Sequence, residues 1–87
     1  MSCRAAPLPP SVVGQIDGIL SSCNNVDPGK REKFEILRHA LTVDMPQRSL
    51  EAMERDPAYR TSFNLMRNLF RELTPKDTRR VCADLVK

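Results

Sequence analysis

The chain reads as an all-α bundle of about five helices. Three observations lead there: apolar residues recur at three- and four-residue steps, no stretch of useful length alternates with period two, and proline-bearing cap signals divide the chain into helix-length segments. The length of 87 residues, with 40% apolar and 29% charged side chains, is ordinary for one globular domain with a small core. We expect a flexible Pro-rich tail over residues 1–10 and a bundle over 11–87. Pro7, Pro9 and Pro10 crowd the tail, and Leu8 is its only large aliphatic residue.

Each helix has a start signal. Ser11 is a suitable N-cap for the first, and Val12, Val13, Ile16, Ile19, Leu20 and Cys23 form one apolar face that Asn24 and Asn25 end. Asp27-Pro28 opens the second, with Phe34, Leu37, Ala40 and Leu41 inward and Ile36 and Val43 widening the stripe. Asp44 with Pro46 opens a short third helix carrying Leu50 and Met53. Asp56-Pro57 opens the fourth. There Tyr59, Phe63, Met66, Phe70 and Leu73 keep 4-3-4-3 spacing and Leu65 and Leu69 add a second edge, a pattern that suits the central helix. Thr74-Pro75 stops the fourth and starts the fifth, Asp77 completes a shortened capping box, and Val81, Cys82, Leu85 and Val86 face inward.

Little in the sequence points to catalysis. Gly14, Gly18 and Gly29 are too scattered for a phosphate loop, and one histidine with three separated cysteines forms no zinc pattern. His39 could in principle pair with Cys23 or Cys82, but both cysteines lie on apolar faces and read as core filler. Free thiols suit a reducing compartment, so the expectation is an intracellular protein, cytoplasmic or nuclear, with no enzyme activity, cofactor or metal. Val12–Leu20 is interrupted by Gly14, Gln15, Asp17 and Gly18, so neither a secretory signal nor a membrane span is expected.

Two patterns point to partners. Arg4-Ala5-Ala6-Pro7-Leu8-Pro9-Pro10 resembles a ligand for Src-homology-3 domains. In a polyproline helix Pro7 and Pro10 would share one edge, and Arg4 would reach an acidic pocket. Arg60, Asn64, Arg67 and Arg71 share one stripe of the fourth helix. Seven basic against three acidic residues from Pro57 to Lys87 would let such a stripe face nucleic acid. No aromatic residue is evidently free for base stacking, and a solvated outer face is the favoured reading of the stripe.

The run Leu65-Met66-Arg67-Asn68-Leu69-Phe70, then Glu72-Leu73-Thr74-Pro75-Lys76-Asp77, Val81 and Leu85, is similar to the end of harmonin-homology domains, with Phe34, Leu37 and Leu41 matching the inner face of their second helix. Val81 departs from the aromatic residue common there, and the third helix is short. The death fold is the nearest other small helical class and normally has six helices. The resemblance implies an adaptor or scaffold module that binds an amphipathic helix in a groove. From the apolar faces, that groove is expected to be lined by Val12, Ile16, Ile19, Phe34, Leu37, Leu41, Val81 and Leu85. Lys30, Arg31, Lys33, Arg79 and Arg80 would form a basic rim. The alternatives are a basic helical domain associating with nucleic acid, or a structural subunit of an oligomer.

Overall fold

The computed structural model describes residues 8–87. It holds α1 (Pro10–Val26), a 3₁₀ turn (Pro28–Lys30), α2 (Arg31–Leu41), α3 (Gln47–Glu54), α4 (Pro57–Arg71) and α5 (Pro75–Leu85), with no strand among the described residues. The cap signals act as expected at two helices. The Asp56 carboxylate accepts from the Ala58 N–H at 2.8 Å, and the Thr74 hydroxyl accepts from the Asp77 N–H at 3.1 Å.

Elsewhere the boundaries move. α1 starts at Pro10, because the Pro9 carbonyl already accepts from the Val12 and Val13 N–H groups, and it runs through Asn24 and Asn25 to Val26. Asp27-Pro28 opens the 3₁₀ turn, not α2 itself. The Asp27 side chain makes no cap and instead pairs with Lys30 at 3.6 Å.

The central helix is α1, which packs against every other helix. α4, expected in that position, lies along one side of α1, and Phe63, Met66 and Phe70 are half-buried. The reason lies in the small residues of α1. Gly14 and Gly18 stand four apart on one edge, and the α4 backbone rests directly on them. A Cβ on Gly14 would overlap the Tyr59 carbonyl, and one on Gly18 would sit 2.6 Å from the Phe63 oxygen and 2.8 Å from the Met66 Cβ. Ser22 continues the edge, its hydroxyl donating to the Gly18 carbonyl at 3.1 Å. The order of contacts, Gly14 at Tyr59 and Gly18 at Phe63 and Met66, shows that α1 and α4 run parallel.

On the rest of its circumference α1 buries Val13, Leu20 and Cys23. α2 returns antiparallel and seals Phe34, at 1% exposure, against Leu20 and Cys23. Ile36 and Val43, expected to widen its inner stripe, are 62% and 63% exposed. α5 also packs on α1 and is tied to it by a disulfide between Cys23 and Cys82, with Cα atoms 5.6 Å apart. This corrects the expectation of free thiols. Both sulfurs do fill the core, but bonded to each other, and the thiol argument for a reducing compartment no longer stands. No helix among the described residues is long and apolar enough to cross a membrane.

Two stability predictions follow from this packing. Gly18→Ala should destabilise the fold by about 1–3 kcal/mol through overpacking, despite alanine's better helix propensity. Gly29→Ala, where a Cβ meets only Asp27 Oδ1 at 3.8 Å, should stay close to the parent in a urea melt. Replacing both Cys23 and Cys82 by Ala releases a loop spanning a sequence separation of 59 and should cost about 4 kcal/mol by the chain-entropy argument, read as a lower denaturation midpoint.

Candidate functional site

The eight expected groove residues do not converge on one surface. Phe34 is sealed in the core. Val12, Ile16, Ile19 and Leu37 are half-buried, and all of these except Val12 pack against the Leu20, Cys23, Phe34 and Cys82 cluster. Leu41 stands 45% exposed at the end of α2. Val81 and Leu85 belong elsewhere. Thr78 and Cys82 turn inward on α5, and Val86 packs on the cluster that contains Phe34. The helical period therefore sets Val81 and Leu85 off to the flank away from Val86.

α4 carries a further set of exposed aliphatic residues, the second apolar edge read from its sequence. The side of α4 that faces α1 is occupied by Tyr59, Phe63, Met66 and Phe70. One flank of that face carries Leu65 and Leu69, continued by Leu73 in the closing turn. These are 51%, 51% and 38% exposed, and Val81 and Leu85 on α5 are 39% and 42% exposed. α4 with its closing turn, and α5, thus each carry exposed aliphatic side chains with acidic neighbours in sequence. Glu72 lies three residues after Leu69, Asp77 four before Val81 and Asp84 three after it, all exposed.

The expected basic rim is dispersed. Lys30 pairs with Asp27, and Arg31 with Glu35 at 3.2 Å, on the α2 side; Lys33 is exposed on the same helix; Arg79 and Arg80 are exposed on α5. The arginine stripe of α4 does form, on the flank opposite the leucines. Arg60, Asn64 and Arg71 are exposed, while Arg67 is half-buried and donates to the Ser21 hydroxyl at 3.2 Å. Of the tail motif, Arg4 and Pro7 lie outside the described residues. Pro10 occupies the first turn of α1, a conformation that does not continue a polyproline helix.

A polar tie that the sequence did not suggest joins three helices. Asp17 accepts from Arg38 Nε at 2.7 Å and Nη2 at 3.0 Å, and from the Tyr59 hydroxyl at 2.6 Å. The pair is partly buried, with the Asp17 side chain only 13% exposed, and it lines a shallow cleft of about 630 Å³ between α1, α2 and α4. Burial, the hydrogen bond to Asp17 and the charge of that carboxylate all push the Tyr59 phenol well above its ordinary range. The Arg38 guanidinium is held still more firmly protonated, chiefly by its hydrogen bond to Asp17 and against the cost of desolvation. All three side chains are engaged with one another, and the geometry is that of a clamp.

His39 is exposed on α2, remote in role from the bonded cysteines. Among the described residues no three His, Cys, Asp or Glu side chains are grouped to hold a metal ion. Comparison with protein-family models, curated proteins and solved structures finds no match to this chain.

Tyr59 is the only tyrosine, so one phenol titrates. Its folded pKa lies above the unfolded value of about 10. Its contribution to stability is therefore complete below about pH 10 and is lost as pH rises toward the folded value. Ultraviolet titration should show phenolate absorbance only above that range in the native protein. In Asp17→Asn the onset should fall toward the unfolded value.

Proposed function

We propose that this chain is a non-enzymatic protein-interaction module that docks an amphipathic helix on the open face of α4 and α5. One observation supports the reading above the others: Leu65, Leu69 and Leu73 stand in an i, i+4, i+8 row, each more than a third exposed, and Val81 and Leu85 on the next helix are exposed as well. A contiguous apolar face on so small a domain is characteristic of a surface that is covered in use. A partner helix would meet it through apolar anchors at i, i+3 or i+4, and i+7.

Covering each of these half-exposed side chains returns about 1 kcal/mol, so the apolar contacts of five support a reversible complex. Glu72, Asp77 and Asp84 beside the row favour a partner whose apolar stripe is flanked by Lys or Arg and would speed its encounter. This charge preference is the reverse of the one expected from the sequence, because Lys30, Arg31 and Lys33 of the expected rim lie on the 3₁₀ turn and α2.

The reading is tested by titrating the labelled protein with an 18-residue Leu/Lys amphipathic peptide and its Leu/Glu counterpart. We expect amide shifts centred on Leu65, Leu69, Val81 and Leu85, with the Leu/Lys peptide bound at least tenfold more tightly. Leu65→Asp with Leu69→Asp, at exposed positions, should abolish binding and leave the melting temperature nearly unchanged. Shifts centred on Val12, Leu37 and Leu41, or self-association of the chain through α4 in sedimentation, would overturn it.

A further inference from the structure

A second feature lies apart from the leucine face, where the C-terminal ends of α1 and α4 meet the start of α5. A cleft of about 280 Å³ opens there, with Val26, Phe70, Leu73 and Pro75 as its apolar lining and Arg67 and Arg71 among its walls. Its volume corresponds to about nine water molecules of liquid, which limits an occupant to a small body. The two arginines stand four apart on one edge of α4, an arrangement of like charges that is mildly unfavourable in an isolated helix. Among the described residues neither makes an ion pair with a carboxylate. The C-terminal end of the α4 dipole accounts for a cation at Arg71. It does not account for Arg67, which is half-buried a turn earlier and whose one hydrogen bond, to the Ser21 hydroxyl, leaves most of its five N–H donors unused.

Two free guanidinium groups over an apolar floor have a definite complement. We propose that this cleft binds a small amphiphilic anion, a carboxylate or phosphate head on a short aliphatic body. The head lies between Arg67 and Arg71, where each can offer a forked pair of donors. The body covers Phe70, Val26 and Leu73. A bare phosphate would leave the floor exposed, and a neutral alcohol would leave both charges without a counter-ion. The combination of head and body therefore sets the selectivity. The site shares Leu73 with the end of the leucine row but differs from it in its arginines, which occupy the other flank of α4.

The test is amide chemical-shift mapping of the full chain with octanoate and octyl phosphate, each kept below its micelle concentration. Octanol, inorganic phosphate and a mixed-sequence single-stranded oligonucleotide serve as comparison ligands. We expect shifts centred on Val26, Arg67, Phe70 and Arg71 with the two amphiphiles, whose relative affinity tells which head is preferred, and at least tenfold weaker binding of the other three. Arg71→Gln, at an exposed position that leaves the fold intact, should weaken octanoate and octyl phosphate at least tenfold and leave octanol unchanged. Equal binding of octanol would reduce the site to an apolar crevice. Equal binding of phosphate or the oligonucleotide would reduce it to a cationic face. Shifts centred on Leu65, Leu69 and Val81 would assign the amphiphile to the helix-docking face. Each of these results overturns the proposal.

Discussion

The close approach of α4 to α1 is the constraint on which the rest of the arrangement depends. With glycine at two successive turns of one edge and serine at the next, α1 admits the α4 backbone where any larger side chain would hold it off. That approach occupies one side of α1, and α2 and α5 must then share the remainder. It also fixes the rotation of α4 about its own axis. With Tyr59, Phe63 and Met66 set over the glycines, Leu65 and Leu69 fall on one flank and Arg60, Arg67 and Arg71 on the other. The chemical character of both outer flanks follows from the inner contact.

The core that results is small, as expected for a chain of this length. Among the described residues the largest fully sealed side chains are Phe34, Val13 and the two bonded cysteines. α5 buries just Thr78 and Cys82 and packs against α1, so the covalent bond to Cys23 does much to keep it in place. The Asp17, Arg38 and Tyr59 tie has a comparable role on the other side, holding α2 and the start of α4 to the middle of α1. The disulfide also fills part of the core, whereas the polar tie adds little apolar burial. Both reduce the freedom of helices that the apolar core alone secures incompletely.

This economy bears on the two surfaces proposed to bind partners. Because α4 has no fully buried residue, its apolar content is spread around the helix, part against α1 and part toward solvent beside α5. α5 stays on α1 and does not close over the leucine row. The same separation opens the cleft at Arg67 and Arg71, where the helix ends diverge.

The sequence by itself determined the fold class, five helices in order, and the caps at Asp56 and Thr74, because periodicity and capping are local properties of a few neighbouring residues. It also placed Phe34, Leu37 and Phe70 in or against one core. The signal for the central helix was present and misread: Gly14, Gly18 and Ser22 recur every four residues, but they appeared as interruptions of an apolar segment because glycine lowers helix propensity. Whether a small residue weakens a helix or admits a neighbour depends on what lies against it. The same holds for Cys23 and Cys82, whose bond needs α5 packed on the C-terminal part of α1, and for Asp17, which meets Arg38 and Tyr59 from distant segments. Tertiary structure alone decided which apolar faces remain open. Apolar side chains outnumber the inward positions of this bundle, and only the rotation of each helix against its neighbours selects which of them face solvent.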